Sequence, residues 1–134
     1  TTLFRFFIYT FNGHLNLWSM QQFERLKSKK EISFVFDNGS GVSSFPIKLF
    51  FYKNSQKQRS NVAFTVGKKS LNKAVERNKT KRLMREAFRL NCLKDGVFLN
   101  HSLVFVYLGK EAAPFDSIKK GFLGVLEKFI SKKK

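Results

Sequence analysis

The segment from Asn72 to Leu90, NKAVERNKTKRLMREAFRL, restricts what the chain can fold into more than any other part of the sequence. On a helix that turns by about 100° per residue, its apolar and basic residues fall on opposite halves. The pattern predicts an amphipathic helix, N-capped by Asn72, that packs on a sheet and exposes a basic face. The apolar half holds Thr80, Leu83, Met84, Ala87, Phe88 and Leu90.

The charge along this segment is one-sided. Nine basic residues lie between Lys68 and Arg89, against two acids, Glu76 and Glu86. Solvated helix faces normally mix signs through i,i+4 pairs, and cations at a helix N-terminus oppose the helix dipole. Free amides at a helix start combined with lysines and arginines make a phosphate site. The segment therefore predicts a polyanionic ligand, and the net charge of +17 predicts the same for the chain, or else an anionic membrane surface.

The run from Val66 to Arg89, VGKKSLNKAVERNKTKRLMREAFR, resembles the signature of the bacterial ribonuclease P protein subunit. In that signature a strand ends in a Lys-Lys turn and leads into a helix opening with Arg-Asn-Arg. This chain has Arg77-Asn78-Lys79, which keeps the third charge but loses the bidentate guanidinium fork, and Gly67 stands where serine is expected. The resemblance implies that the catalytic RNA is bound by Lys68, Lys69, Arg77, Asn78, Lys79, Lys81, Arg82, Arg85 and Arg89.

The resemblance implies a second surface, a cleft between the first helix and the sheet that holds the single-stranded 5′ leader of precursor tRNA. The matching positions are Ile32 and Phe36 on the helix and Lys48 and Phe50 on the strand. Ile32 replaces an expected aromatic residue, so apolar contact would replace stacking there. An aromatic side chain can stack on any base, whatever the sequence, and a lysine attracts the negatively charged phosphate backbone. An ordinary core would explain Ile32 and Phe36 equally well.

The sequence offers little for protein-borne catalysis. Its nine acids contain no paired motif such as D-x-D, His14 and His101 stand alone, and the glycines are scattered. We therefore predict no catalytic residue and no metal site in the protein. The resemblance implies that the RNA subunit performs the endonucleolytic hydrolysis with Mg²⁺ bound through the RNA, and that the protein raises substrate affinity and Mg²⁺ use. It implies no membrane and no stable protein partner, and a single cysteine, Cys92, fits a reducing cytoplasm.

The first 23 residues carry one charge, Arg5, and are rich in phenylalanine. A signal peptide requires a basic start and a clear cleavage site, which this segment lacks. A membrane span requires about 20 apolar residues without the polar interruptions seen here. We favour a third interpretation, an extension outside the fold with Met20 as the natural start. The domain is then expected at 24–130, followed by a basic, mobile tail at 131–134.

The remaining pattern predicts an α+β sandwich in the order αββαβα. Its predicted helices are Ser28–Asn38, the basic helix and Phe115–Ile130, and a polar loop covers Gly39–Phe45. Its predicted strands are Ile47–Lys53, Val62–Val66 and Ser102–Leu108, the first two forming an antiparallel hairpin. The resemblance adds a ribosomal-protein-like domain, a further strand near Asp95–Asn100 or along the hairpin, and a left-handed βαβ crossover around the basic helix.

Two other functions fit the same composition. A basic ribosomal or general RNA-binding protein with no part in an enzyme would share the charge and the fold type, and it predicts no effect on tRNA 5′ maturation. A membrane-surface binder would use the phenylalanine-rich N-terminus and the basic helix. It predicts liposome binding that disappears when residues 1–19 are deleted.

Overall fold

A computed structural model describes residues 23–26, 28–53, 60–91, 98 and 100–133. Three helices lie in this part of the chain: α1 (Lys29–Asn38), α2 (Ala74–Asn91) and α3 (Phe115–Lys133). The five strands are β1 (Phe23–Arg25), β2 (Ser40–Ser44), β3 (Ile47–Lys53), β4 (Ser60–Val66) and β5 (His101–Tyr107). The predicted α+β class is confirmed, with two more strands than the sequence indicated.

The strands form one mixed sheet in the order β1-β4-β5-β3-β2. β3 is antiparallel to both of its neighbours, β2 and β5. β4 is parallel to β5 and to β1, so β4, α2 and β5 form a βαβ unit. The left-handedness of this crossover is a prediction that comes from the family resemblance.

Each face of the sheet has its own hydrophobic cluster. Leu49 and Phe105 contribute to the larger cluster, which α2 and α3 cover. Phe50 and Val104 contribute to the smaller one, which α1 covers through Val35. Alternate residues of β3 thus serve opposite faces, as their period of two predicts.

Local signals fix the helix ends. The Ser28 hydroxyl accepts from the Glu31 amide at 3.5 Å, and the Gly39 amide donates to the Val35 carbonyl at 2.8 Å. α2 begins later than predicted: the Lys73 carbonyl accepts from the Arg77 amide at 3.0 Å, which makes Lys73 the capping residue. The prediction of Asn72 as the N-cap is therefore wrong.

Three further predictions need correction. The expected hairpin of β3 and β4 does not exist, because β5 lies between these strands. The polar loop predicted at Gly39–Phe45 contains strand β2, which is the further strand along β3. The predicted tail continues α3 as far as Lys133. On α2, Leu90 is 38% exposed and lies at the margin of the apolar face.

Several expectations fall outside the described residues: residues 1–22 of the predicted extension, Cys92 and most of the alternative strand at Asp95–Asn100. The described fold begins at Phe23, whose backbone pairs with Ser60. Short parallel strand β1 was not predicted, since three residues carry too little pattern to mark a strand.

Candidate nucleic-acid interface

Helix α2 turns its basic side away from the sheet. Its buried residues are Thr80, Met84, Ala87 and Phe88, so the predicted division into two halves holds. Of the residues expected to bind RNA, Asn78, Lys79, Arg82 and Arg85 are exposed, while Lys81 and Arg89 are half-buried.

Arg77 differs from its neighbours because part of its guanidinium is used within the protein. Its Nη1 donates to the Leu71 carbonyl at 2.9 Å and to the Asn72 carbonyl at 2.8 Å. Both acceptors lie in the segment that joins the Lys-Lys turn to α2. Arg77 therefore holds this segment in place, and only the rest of its guanidinium is available to a ligand.

Arg89 is also engaged locally. It forms an ion pair with Glu86, and its Nε donates to Glu86 Oε2 at 3.3 Å. Within the described ranges, neither Arg82 nor Arg85 takes part in an ion pair. The two arginines in the middle of α2 therefore keep their whole guanidinium charge available to a ligand, whereas the charge of Arg89 is partly balanced by Glu86.

The Lys-Lys turn lies where β4 ends. The Gly67 carbonyl accepts from the Ser70 and Leu71 amides, each at 3.1 Å, and Ser70 Oγ donates to the Tyr107 carbonyl of β5 at 3.4 Å. The turn leaves Lys68 and Lys69 exposed beside the start of α2.

On the opposite face, most of the residues expected to hold the leader come together. The rings of Phe36 and Phe50 meet edge to face with 4.8 Å between centroids, and Lys48 Nζ lies 4.8 Å from the Phe50 centroid. Sequence reasoning missed an adjoining pair, Phe34 and Tyr52, whose rings meet edge to face at 5.0 Å. Tyr52 lies two residues after Phe50 on β3 and therefore on the same face of the sheet, so the alternation of the strand could have identified it. No sequence pattern pointed to Phe34.

Ile32 lies one helical turn before Phe36 and borders a groove of about 380 Å³. Among the described residues, β1 pairs only with residues 60–62 of β4, so in this part of the chain residues 63–66 form a free edge of the sheet. The groove passes around this edge, from Ile32 on one face to Lys81 and Arg85 on the other. Arg85 also lies over the Phe64 ring, with its guanidinium carbon 6.0 Å from the centroid. The remaining lining residues are Arg25, Leu26, Val62, Ala63, Phe64 and Thr65.

The described part of the chain contains no convergence of three His, Cys, Asp or Glu side chains that could hold a metal ion. None of its helices combines the length and hydropathy that crossing a membrane requires.

Comparison with known proteins agrees with this geometry. A model of the Ribonuclease P family matches residues 20–130. The ribonuclease P protein component of Caldanaerobacter subterraneus is 33% identical over 109 residues, which cover 81% of this chain and 90% of that protein. The component from Porphyromonas gingivalis is 36% identical over 76 residues, and the match spans 55% of this chain and 56% of that relative.

Two solved structures share the fold. The ribonuclease P protein from Thermotoga maritima superposes with a TM-score of 0.64 at 28% identity, covering 78% of this chain and 96% of that one. The ribonuclease P protein from Staphylococcus aureus superposes with a TM-score of 0.66 at 24% identity, covering 81% of this chain and 94% of that one. This second likeness supports the fold alone. The family match, the relatives and the shared fold together show that the chain belongs to the family of bacterial ribonuclease P protein components.

Proposed function

We propose that this chain is the protein subunit of a ribonuclease P that removes the 5′ leader from precursor tRNA in the cytoplasm. The proposal assigns the catalytic RNA to the α2 side and the leader to the α1 side. The observation that carries it, beside family membership, is the groove around the free edge of β4, which joins the two surfaces. One ribonucleoprotein can then hold both RNAs on one small domain.

Binding of the catalytic RNA would be mainly electrostatic. Arg82 and Arg85, exposed and without an ion pair in the described residues, are the strongest candidates for phosphate contacts. Each phosphate neutralised by a lysine or arginine releases condensed counterions, which favours binding at low salt. The rest of the surface is formed by Lys68, Lys69, Asn78, Lys79 and Lys81. Arg77 can contact the RNA only with the part of its guanidinium that does not donate to the Leu71 and Asn72 carbonyls. Arg89 would have to give up some of its ion pair with Glu86 to bind a phosphate.

Binding of the leader would be mainly through stacking. Phe36 and Phe50 present aromatic surface, Lys48 places a cation beside it, and Ile32 adds apolar contact toward the groove. A base stacked on an aromatic side chain gains about 1–3 kcal/mol irrespective of its sequence. That tolerance suits leaders whose sequences differ among precursor tRNAs.

The protein would assist a reaction whose chemistry belongs to the RNA subunit. Mg²⁺ would be bound through the RNA, and protein cations beside the phosphates would screen the repulsion that opposes folding and substrate binding. Less Mg²⁺ would then be needed for the same cleavage rate.

Cleavage of a precursor tRNA by a bacterial ribonuclease P RNA at low Mg²⁺, with and without this chain, tests the proposal. We expect cleavage at the mature 5′ end only when the chain is present. A matched reaction at high Mg²⁺ shows that the RNA is active by itself. If the chain is folded and bound to the RNA and yet does not stimulate cleavage, it is a general RNA-binding protein and the proposal is wrong.

A further inference from the structure

The turn between β2 and β3 exposes an aromatic side chain that the proposed function does not use. Phe45 is 75% exposed, against 40% for Phe36 and 47% for Phe34 on α1. The next residue, Pro46, is buried, and its carbonyl accepts from the Leu108 amide at 2.7 Å. The turn is therefore fixed to the end of β5, and the Phe45 ring is held out on a rigid support.

Phe45 forms one wall of a hollow of about 590 Å³. Tyr107 forms its floor: this side chain is buried, and its hydroxyl donates to the Glu111 carbonyl, which holds residues 109–113 against it. Burial, with a smaller contribution from Glu111, raises the pKa of the Tyr107 hydroxyl. The volume lies within the usual range for ligand sites. The other lining residues are Pro46, Gly109, Lys110, Ala112, Ala113, Pro114, Ser117 and Lys120.

The charge at the rim favours an anion. Lys110 and Lys120 both line the hollow and are exposed, against one exposed acid, Glu111. An aromatic ring next to lysines is the combination with which proteins bind unpaired nucleotides: the base stacks and the phosphate meets the cation.

The hollow lies at the same end of the sheet as the Lys-Lys turn. Tyr107 pairs with Ile47 on one side and with Val66 on the other. Val66 directly precedes the turn that carries Lys68 and Lys69, and two strand spacings correspond to about 10 Å. A single RNA lying along the start of α2 therefore reaches the hollow, whereas the cluster of Phe36 and Phe50 lies on the α1 face.

We infer that this hollow binds an unpaired nucleotide of the catalytic RNA, with its base on the Phe45 ring and its phosphate between Lys110 and Lys120. The inference rests on the proposed function and adds a third contact to it, separate from the α2 face and from the leader surface. The catalytic RNA is the occupant because the hollow lies at the same end of the sheet as Lys68 and Lys69, where the proposed function places that RNA.

Tryptophan fluorescence tests this contact directly. In the full chain, Trp18→Phe removes the native tryptophan, and Phe45→Trp then places the only indole at the hollow. We expect quenching when ribonuclease P RNA is added, since a stacked base quenches indole, and a much smaller change when precursor tRNA is added alone. Quenching by precursor tRNA but not by the catalytic RNA would overturn the assignment of the occupant.

Affinity provides the second readout. Phe45→Ala should weaken binding of the catalytic RNA by about tenfold, and Phe45→Trp should retain it, because stacking needs a ring. Lys110→Ala with Lys120→Ala should lower the salt slope by up to about two units. Leu123→Ala on α3 is the matched control, since Leu123 is exposed and lines no part of the hollow.

Failure of this inference and failure of the proposed function give different results. If Phe45→Ala binds the RNA as tightly as the unmodified chain and the tryptophan at position 45 is not quenched, the hollow is not a contact, although the chain still stimulates cleavage. If the unmodified chain does not stimulate cleavage, the proposed function itself fails.

Discussion

Residues of one motif have different roles on helix α2. Arg77 donates to the Leu71 and Asn72 carbonyls and thereby shapes the approach to the helix, and Arg89 pairs with Glu86. Arg82 and Arg85 project outward without an ion pair in the described residues. The sequence marks all four as basic, and only the folded structure separates those held internally from those available to a ligand.

Salt dependence can distinguish these roles. Arg82→Ala or Arg85→Ala should weaken RNA binding and reduce the slope of log K against log salt by about one unit per lost phosphate contact. Binding measured at several salt concentrations checks this. Lys119→Ala, which removes the same charge from the exposed side of α3, should leave the slope nearly unchanged. An unchanged slope for Arg82→Ala and Arg85→Ala would exclude these two residues from the interface.

The aromatic surface on the other face can be tested through the substrate. Phe50→Ala should leave assembly with the catalytic RNA intact. It should weaken the binding of precursor tRNA that carries a leader by about 1–3 kcal/mol, because one stacked base is lost. Binding to the holoenzyme is compared for substrates with and without a leader, and Phe50→Tyr serves as the ring-retaining control. Equal loss on a leaderless substrate would contradict a role in leader binding.

At the scale of elements, strand β2 shows how tertiary pairing overrides local sequence. Its residues, SGVSS, are typical of a loop, yet all five pair with β3. β2 is an edge strand, and α3 protects its outward carbonyls: Lys128 Nζ donates to Ser43, and Lys132 Nζ donates to Gly41 at 3.4 Å. Lysines from a distant helix thus complete a strand that its own sequence only weakly favours.

Helix α3 contains two glycines, which weaken it by about 1 kcal/mol each relative to alanine. The structure accounts for them by close packing on the β2–β3 turn. A Cβ on Gly121 would lie 2.8 Å from Ile47 Cγ1, and one on Gly124 would lie 2.7 Å from Ser44 Cβ. The closeness of the helix to the sheet therefore depends on both residues.

Substitution at Gly124 should consequently destabilise the protein. Helix propensity alone predicts that Gly124→Ala stabilises, but we expect the free energy of unfolding to fall by about 1–3 kcal/mol, because the methyl group would overlap Ser44. Denaturant unfolding measures this, and combining Gly124→Ala with Ser44→Gly should recover part of the loss as a favourable coupling. A stabilised Gly124→Ala protein would show that α3 lies farther from the turn.

At the scale of the whole molecule, a net charge of +17 on 134 residues opposes compaction. Like charges along α2 and at its start repel one another, and no local acid balances most of them. A bound polyanion relieves this repulsion and stabilises the folded state by linkage. Folding and RNA binding are therefore expected to be coupled.

A small polyanion should reveal this coupling without RNA. Millimolar pyrophosphate should raise the thermal midpoint more than sodium chloride at equal ionic strength, with a stabilisation of about 1–3 kcal/mol near saturation. Thermal unfolding monitored by circular dichroism measures the shift. Lys68→Ala combined with Lys69→Ala should lose part of it. Equal shifts with both salts would mean that general screening, rather than site binding, is responsible.

Much of the fold was accessible from sequence because it depends on local pattern. The amphipathic halves of α2, the alternation along β3 and the Ser28 cap of α1 follow from residue spacing. So does the apolar face of α3, on which Ile118, Phe122, Val125 and Phe129 recur at helical intervals and are buried. The candidate RNA-binding residues of α2 were accessible for the same reason, since they share one face of one helix.

Tertiary structure decided what spacing cannot encode. Strand neighbours were predicted from adjacency in the chain, but β5 separates β3 from β4 because its fully apolar core lies best in the middle of the sheet. Among the described residues, this order leaves 63–66 as a free edge and forms the groove between Ile32 and Arg85. It also brings Phe45 to the end of the sheet that carries Lys68 and Lys69. The sequence by itself determined the charge, the helices, and which side of each helix or strand is apolar. Contacts between distant strands determined how the candidate RNA-binding sides of these elements lie next to one another.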